Sequence, residues 1–414
     1  MARALTKETI LKNVNLVRSF KELYTNPLDE TAERYSRLTE GLTENVRFFS
    51  SPGRAELIGN HTDHNHGLVI ASSIDLDVAC AVNKTDSDTV TVCSEGFEPF
   101  TVNVFDTPVD PSAFGTSRAI LCGVLQGFKD RGYKVGGFVA HCHSTIFKGA
   151  GVSSSSAFEL LLCEILDALY NGDKIDFATK AIISRFAENV YFGKPSGLMD
   201  QLTIARGGVS YMNFANEIPD SENAPWNFDD LSLVIINCGG DHCNLTDEYA
   251  AIRYEMNEVA GFFGKKVLAE VEEKDFFAAL AELKSKYSGR AVLRSMHFFD
   301  ENNRVKQAVQ ALNDNDKDRF LSLVTASGLS SYTLLQNCYP VGDTVQDVPF
   351  GLAICSHHPD TLAVRVHGGG FAGTILSVVE TQKLDSYTNY MKKIFGNANV
   401  FGVKIRPYGA IEIK

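Results

Sequence analysis

Four consecutive serines at 153–156 separate a pair of glycines from a long apolar run. The stretch reads KGAGVSSSSAFELLLCEIL from Lys148 to Leu166. Gly149 and Gly151 permit backbone conformations that a Cβ atom forbids. A glycine-rich turn that leads into a helix presents unpaired N–H groups and the positive end of the helix dipole, which together bind anions. Serine hydroxyls at such a turn can also bind phosphate or Mg²⁺, so the stretch is a candidate phosphate site.

The same serines also fit a purely structural interpretation. Ser156 followed by Glu159 has the spacing of a capping box, which predicts a helix that starts just beyond Ser156. No Gly-Lys-Ser/Thr sequence follows the glycines, so the stretch is not a Walker A loop. Taken alone, the serines indicate a capped helix at least as well as an anion site.

Two further stretches carry reactive side chains or glycines. In SPGRAELIGNHTDHNHG (51–67), a predicted strand leads into a loop, and the polar residues are Arg54, Asn60, His61, Asp63, His64 and His66. Alone, this loop could be solvated or could bind a metal, although its spacing gives no compact ligand set. In RVHGGGFAGT (365–374), three glycines lie between strand-like runs, which alone would indicate a tight turn.

Composition limits the class of protein. A chain of 414 residues with 44% hydrophobic and 22% charged residues predicts a soluble protein of two domains. A net charge of −12 argues against nucleic acid as a partner, and no apolar run is long enough to cross a membrane. Nine cysteines without a C-x-x-C pair, and an N-terminal segment without a signal-peptide core, predict a cytoplasmic protein.

Hydrophobic periodicity predicts a mixture of helices and strands. Residues 9–22 have the pattern of an amphipathic helix, residues 138–146 that of a strand before the serines, and residues 215–227 that of a polar linker. Further helices are predicted over 157–171, 176–192, 246–263, 275–287, 302–313 and 316–327. Later strands include 231–239 and the run LAICSHH at 352–358. His141 and His143 share one strand face but lack an evident third ligand, so we interpret them as structural.

The three polar or glycine-rich stretches, in this order, resemble the three motifs of the GHMP small-molecule kinases, and the first narrows the resemblance to the galactokinases. That family has Gly-Arg-x-Asn-Leu-Ile-Gly-Glu-His-x-Asp-Tyr-Asn-x-Gly, and GRAELIGNHTDHNHG fits most positions. AENVYFGKPSGLMDQLTIARGG (187–208), DEYAAIR (247–253) and NNRVKQAVQALNDND (302–316) extend the likeness along nearly the whole chain. The resemblance implies the two-domain α+β GHMP kinase fold, with domains at 1–215 and 216–414 and the active site in the cleft between them.

The resemblance also implies a reaction, the ATP-dependent phosphorylation of galactose at C1 with Mg²⁺ as cofactor. Asp200 would accept the proton of the sugar hydroxyl or orient that hydroxyl, and Arg54 would keep Asp200 ionised and stabilise the transferring group. Glu188 and Ser155 would hold Mg²⁺. The ATP-binding residues would be Gly149, Gly151, Ser153, Ser154, Ser155 and Ser156.

The sugar-binding positions carry the main departures from the family pattern. The residues implied to bind the sugar are Asn60, His61, Asp63, Gly197 and Tyr249. Asn60 replaces a family glutamate that contacts the sugar near C6, Glu56 replaces an asparagine, and His64 replaces a tyrosine. In the third motif, Ala372 and Thr374 replace a glycine and a cysteine. Loss of the charge at position 60 leads to the hypothesis that the protein tolerates C6-modified galactose.

Three alternatives to a galactokinase remain at this point. One is a kinase for a related sugar such as galacturonate, and another is a different small-molecule kinase of the superfamily. The third is a galactokinase-like sugar sensor without turnover, against which the intact Arg54 and Asp200 argue. The expected partners are the sugar and MgATP, with neither nucleic acid nor membrane, and the expected state is a monomer or weak homodimer.

Overall fold

Two β-sheets and the helices around them form the molecule. The structure is a computed structural model that describes residues 5–24, 26–43, 45–146, 151–240 and 245–414. The strands are β1 (Arg47–Ile58), β2 (Leu68–Lys84), β3 (Thr89–Ser94), β4 (Phe100–Asn103), β5 (Phe138–Ser144), β6 (Val209–Asn213), β7 (Asp220–Ala224), β8 (Leu231–Gly239), β9 (Ala363–Val366), β10 (Gly373–Glu380), β11 (Val400–Val403) and β12 (Ile411–Ile413).

Helices pack on both faces of the larger sheet and against the smaller sheet. They are α1 (Lys7–Lys12), α2 (Val14–Leu23), α3 (Leu28–Leu38), α4 (Ser117–Asp130), α5 (Ser154–Leu166), α6 (Phe177–Phe186), α7 (Met199–Arg206), α8 (Thr246–Phe262), α9 (Glu273–Ala278), α10 (Leu280–Lys286), α11 (Gly289–Asn313), α12 (Lys317–Ser330), α13 (Asp347–His357) and α14 (Leu384–Phe395). No helix within the described residues has both the length and the apolar run that crossing a bilayer requires.

The larger sheet has eight strands and the smaller has four. The larger one has the order β12-β1-β2-β5-β3-β4, and β6 pairs with both β2 and β7. Its pairs are antiparallel except for β3 and β5, which are parallel. The smaller sheet is antiparallel in the order β11-β8-β10-β9. Since β7 and β12 follow residue 215 yet join the larger sheet, the division at 215/216 stays a prediction.

The long strands β1 and β2 are buried on both faces. Successive side chains of a strand point to opposite faces, so Phe49 and Cys80 pack with α4 and α5, whereas Phe48 and Ala81 pack against α1–α3. Behind the first face, ten of the thirteen residues of α5 are buried. A helix that is apolar on nearly all sides must lie inside the domain, which fixes its N-terminus against β1.

Five predicted elements differ in the structure. The predicted helix 275–287 is divided into α9 and α10, and the predicted helix 302–313 is the second half of α11, which begins at Gly289. Asn13 ends α1 and caps α2, so residues 9–22 form two helices rather than one. The predicted linker 215–227 contains β7, a polar strand whose one partner among the described strands is β6. The predicted strand 352–358 is part of α13, in which Val348, Gly351 and Cys355 are buried at helical spacing. A short apolar run does not distinguish a strand from a buried helix. Here the buried residues recur with the period of a helix, about 3.6 residues, and not with the period of 2 of a strand.

Candidate active site

The chemistry-bearing residues meet where β1 passes the N-terminus of α5. Arg54 lies in β1, and its backbone N–H donates to the carbonyl of Val152 at 3.1 Å. The backbone of β1 can come this close to Val152 because Gly53 has no side chain. A Cβ at position 53 would lie 3.0 Å from the Val152 carbonyl oxygen. The strand and the serine segment 151–156, here called the serine loop, therefore form one surface.

An ion pair between Arg54 and Asp200 forms the centre of the site. Arg54 Nε and Nη2 donate to Asp200 Oδ1 and Oδ2 at 2.7 and 3.0 Å, which is the bidentate geometry of a strong charge-assisted pair. The remaining Arg54 nitrogen, Nη1, donates to the carbonyl of Gly151, and the hydroxyl of Ser153 donates to Asp200 Oδ2. The guanidinium thus joins the serine loop to the N-terminal turn of α7.

The surroundings of Asp200 keep its carboxylate ionised. Burial alone would raise the pKa of Asp200, but the charge of Arg54 and the hydrogen bonds from Arg54 and Ser153 outweigh it and lower the pKa. Three donors occupy three of the roughly four acceptor positions of a carboxylate. One position is left for a hydroxyl of a bound molecule.

The capping box predicted at Ser156 is wrong. Helix α5 begins at Ser154, and its N-cap residue Ser153 has a left-handed backbone with φ of 61° and no side-chain cap hydrogen bond. Glu159 instead accepts a hydrogen bond from Ser184 at 2.6 Å, and the buried hydroxyl of Ser156 has no partner among the described residues. The free N–H groups of the first turn are therefore not used by the serine side chains.

A cavity of about 230 Å³ opens in front of these groups. Its lining includes Arg54, Gly151, Ser153, Ser154, Ser155, Lys194, Asp200 and Gly369. Gly149, predicted to bind ATP, lies outside the described residues. A second cavity of about 270 Å³, beside Arg34 and His143, contains none of the predicted site residues. His143 there accepts from Arg34 Nε at 2.8 Å, which agrees with a structural role.

Glu188 lies beside the cavity with both oxygens hydrogen-bonded. Oε1 accepts from Ser155 Oγ at 2.8 Å and from Lys194 Nζ at 2.9 Å. Oε2 accepts from Ser196 Oγ at 2.7 Å and from Gln201 Nε2 at 2.6 Å. These contacts fix the carboxylate, whose side chain is only 1% exposed, with Oε1 toward the serine loop.

The oxygens of Ser155 and Glu188 fit one side of a Mg²⁺ site. Magnesium in proteins takes one or two carboxylates, keeps several waters and completes its shell with substrate phosphates. Among the described residues, no three His, Cys, Asp or Glu side chains gather closely enough to hold a metal by themselves. The pair at 2.8 Å therefore fits an ion that arrives with a nucleotide.

The segment 59–67 contacts residues 367–373, here called the glycine loop, whose Gly369 forms part of the cavity wall. His61, with φ of 56°, places Nε2 2.9 Å from the carbonyl oxygen of Gly369. The hydroxyl of Tyr249 donates to the carbonyl of Gly370 at 2.9 Å. A Cβ on Gly197 would lie 3.0 Å from Asp63 Oδ2, so a larger residue there would crowd that carboxylate.

Asp63 and Asp200 have opposite electrostatic environments. Burial raises the pKa of Asp63, and although His61 and backbone hydrogen bonds lower it, Asp200 raises it further. Gly197 lies beside Asp63, and the charge of Asp200 acts on the Asp63 carboxyl, whereas the predicted roles of the three residues stay predictions. Two neighbouring carboxylates with shifts in opposite directions are typical of a functional site.

Asn60 lies behind this wall and is 1% exposed. Its Nδ2 donates to Glu56 Oε1 at 2.8 Å and to the Gly368 carbonyl at 2.7 Å. Its Oδ1 accepts from Asn337 at 2.7 Å and from Ser331 at 3.4 Å. The predicted contact of Asn60 with the sugar stays a prediction, and these bonds favour a role in positioning the glycine loop.

The sequence analysis missed several residues that shape the site. Arg365 Nη2 pairs with Glu56 Oε1 at 3.0 Å, and Asn337 holds both Asn60 and the Gly369 carbonyl. Nothing in the sequence around Asn337 indicated this contact, because it depends on tertiary packing. The sequence did carry a sign of Lys194, because this lysine lies between Gly193 and Pro195, six residues after the predicted magnesium ligand Glu188.

Two family models and several curated proteins match this chain. Residues 37–84 match the galactokinase galactose-binding signature, and residues 119–208 match the GHMP kinases N terminal domain. The galactokinase of Streptomyces coelicolor is 28% identical over 371 residues, which cover 89% of this chain and 93% of that protein. A galactokinase of Clostridium perfringens is 29% identical over 370 residues, with 86% and 92% covered.

Solved structures share the fold. The Lactococcus lactis galactokinase complexed with galactose has a TM-score of 0.78 at 22% identity and covers 93% of this chain and 99% of that one. The mevalonate kinase of Methanococcus jannaschii has a TM-score of 0.62 at 15% identity, with 86% and 98% covered. These matches confirm the predicted α+β architecture. The chain belongs to the GHMP kinase superfamily, in which the curated relatives that it matches along most of its length are galactokinases.

Proposed function

We propose that this protein is an ATP-dependent galactokinase that phosphorylates the C1 hydroxyl of galactose. The observation that carries the proposal is the bidentate Arg54–Asp200 pair, which faces the cavity between the serine loop and the glycine loop. Galactokinases that align with 86–89% of the chain support the choice of sugar and reaction.

In the proposed reaction, Asp200 orients the sugar. Its free acceptor position takes the hydrogen bond of the C1 hydroxyl, whose oxygen forms a bond to the γ-phosphorus while the bond from that phosphorus to the β,γ-bridging oxygen breaks. ADP leaves, and the hydroxyl proton passes to Asp200 as the new bond forms. Because the pKa of Asp200 is lowered, the carboxylate acts mainly by orienting the hydroxyl and accepts the proton late.

The remaining residues neutralise and position charge. Arg54 faces both Asp200 and the serine loop, where it can stabilise negative charge on the transferred group. Ser155 and Glu188 would hold Mg²⁺, which supplies charge neutralisation to the phosphates when bound. The first-turn N–H groups of α5 and the hydroxyl of Ser154 would bind the phosphates, whereas the hydroxyl of Ser153, also predicted to bind ATP, donates to Asp200.

The sugar would lie between Asp63 and the glycine loop. Asp63 would accept hydrogen bonds from sugar hydroxyls, Gly197 leaves it room, and His61 and Tyr249 hold the loop carbonyls in place. The galacturonate alternative rested on a contact between Asn60 and C6, which the four protein bonds of Asn60 do not favour. Cytoplasmic location and a monomeric or weakly dimeric state stay predictions.

The proposal is tested by ADP release, coupled to pyruvate kinase and lactate dehydrogenase, with galactose, galacturonate, 6-deoxygalactose and glucose. We expect turnover with galactose that Asp200→Asn loses. Galactose binding by calorimetry without turnover, equal in the wild type and the variant, would instead indicate a sugar sensor. A higher kcat/KM for galacturonate would move the assignment to the related-sugar kinase.

A further inference from the structure

Lys194 places a positive charge at the candidate active site, and none of the roles above uses it. Its Nζ lies 2.9 Å from Glu188 Oε1, and its side chain lines the cavity together with Arg54, Ser155 and Asp200. Its side chain is 56% exposed, whereas that of Glu188 is 1% exposed. The lysine can therefore leave the carboxylate while the carboxylate stays in place.

The backbone around Lys194 is held more firmly than its side chain. Its N–H donates to the carbonyl of Glu188 at 3.1 Å. Gly193 has φ of 77°, and a Cβ there would lie 2.3 Å from the ring of Phe114. Pro195 follows and has a ring-restricted φ. The four-carbon stem thus starts from a fixed point beside the cavity, and its ammonium can reach more than one acceptor.

Glu188 Oε1 is the atom that the lysine and a magnesium ion would share. Ser155 Oγ and Lys194 Nζ both bond to this oxygen, whereas Ser196 and Gln201 occupy Oε2. If Mg²⁺ binds Ser155 and Oε1, the ammonium has to move, because two cations on one oxygen repel each other. Asp200 accepts three hydrogen bonds from Arg54 and Ser153, and its remaining acceptor position is the one assigned to the sugar hydroxyl, so the phosphates of the nucleotide would be the acceptors left for the ammonium.

We propose that Lys194 is a nucleotide-binding residue that neutralises Glu188 before the nucleotide binds and contacts the β- or γ-phosphate of MgATP afterwards. This inference rests on the proposed kinase function. It predicts two effects of opposite sign when the charge is removed. Nucleotide affinity falls because a phosphate contact is lost, and the affinity of the nucleotide-free protein for a divalent cation rises because a competing cation is gone.

The test uses Lys194→Met and Lys194→Arg in the full-length protein. Calorimetry with Mg·AMP-PNP is expected to show affinity about 10–100-fold weaker for Lys194→Met, since a hydrogen bond to a charged group is lost. Lys194→Arg is expected to keep most of the affinity. Electron paramagnetic resonance with Mn²⁺ alone is expected to show tighter binding to Lys194→Met than to the wild type.

Lys317→Met is the matched control, because Lys317 also pairs with a carboxylate, Asp230, at 2.5 Å but does not line the cavity. It is expected to leave both affinities unchanged. Unchanged AMP-PNP affinity in Lys194→Met, or weaker Mn²⁺ binding, would overturn the role of Lys194 while the kinase proposal stands. If the wild type binds no AMP-PNP, the kinase proposal fails, and this inference fails with it.

Discussion

The serine-loop side and the glycine-loop side of the cavity are built by different interactions. On the serine-loop side, ionised groups form direct ion pairs, namely Arg54 with Asp200 and Lys194 with Glu188. On the glycine-loop side, the bonds run mainly from side chains to backbone carbonyls, as from His61 to Gly369. The serine-loop side places charge where phosphate would bind, and the glycine-loop side fixes the shape of the cavity wall.

The two sides also tolerate change differently. The family pattern is intact at Arg54, Glu188 and Asp200, whereas Glu56 and Asn60 exchange the residue types of the family motif. In the structure these two exchanged residues are hydrogen-bonded to each other at 2.8 Å. When a carboxylate and an amide exchange places, one donor and one acceptor remain, so the shape of the glycine-loop side is kept. The same exchange at a residue whose charge takes part in the reaction would remove that charge. Four experiments test this comparison.

The largest effect is expected for Asp200→Asn. The amide preserves the shape but loses the charge that pairs with Arg54 and accepts the sugar hydroxyl. We expect kcat to fall about 10²–10⁴-fold while galactose and AMP-PNP still bind. Steady-state kinetics and calorimetry measure the two parts. Turnover near that of the wild type would remove Asp200 from the mechanism.

The second experiment exchanges Glu56 and Asn60. Glu56→Asn leaves Arg365 buried without its counter-ion, which should cost about 3–5 kcal/mol of the free energy of unfolding. Asn60→Glu brings two carboxylates together and should also destabilise. The double variant restores one carboxylate and one amide, so we expect it to be more stable than the sum of the single changes predicts, by about 0.5–3 kcal/mol.

Urea unfolding of the four proteins measures this coupling, and kcat/KM for galactose and 6-deoxygalactose shows whether the pair affects the sugar. Strict additivity of the two single changes would mean that the hydrogen bond between Glu56 and Asn60 contributes no coupling. If the preference between galactose and 6-deoxygalactose reverses in the double variant, the hypothesis that residue 60 contacts C6 of the sugar would be supported again.

The third experiment compares adjacent serines of α5. Ser155 donates to the buried carboxylate of Glu188, whereas the buried hydroxyl of Ser156 has no described partner. Ser155→Ala should cost about 1–3 kcal/mol and weaken Mg·AMP-PNP binding, since a hydrogen bond to a charged group is lost. Ser156→Ala, the matched control, should change stability little. Equal losses from both variants would mean that the loop acts only through its backbone.

The smallest effect is expected when the pH is lowered and KM for galactose and kcat are followed. The raised pKa of Asp63 means that it protonates at a higher pH than an ordinary aspartate, whereas the lowered pKa of Asp200 keeps that group ionised. As the pH falls, KM for galactose should therefore rise before kcat falls. Kinetics between pH 7.5 and 4, with circular dichroism to confirm folding, measure the order. Asp63→Asn should remove the KM change, and a kcat that falls first would reverse the assignment.

The fold was predictable from the sequence because its motifs are local and ordered along the chain. The strand β8 lies where periodicity placed it, and α5 overlaps its predicted range but begins three residues earlier. The predicted strand within α13 is wrong, since a short apolar run fits either structure. The polar strand β7 has an exposed face and therefore lacks a strand-like apolar pattern. Such elements depend on their neighbours in space more than on their own residues.

The site was predictable only in part. Motif positions indicated Arg54 and Asp200, which are 146 residues apart in sequence and adjacent in the structure. Asn337 could not have been found, because an asparagine outside any motif carries no sign of its contacts. Asn60 was placed by its motif, but its side chain bonds to Glu56, Gly368 and Asn337, and only the packed structure shows that orientation.

The pairing of β12 with β1 affects how the protein is made. Arg47 and Glu412, which form an ion pair across these strands, are 365 residues apart. At roughly 5–20 residues per second, a ribosome takes roughly 20–70 s to synthesise the chain between them. During that time one edge of β1 has no β12 to pair with, and an uncovered edge strand is a template for aggregation. Chaperone demand during synthesis should therefore depend on how soon residues 411–413 emerge.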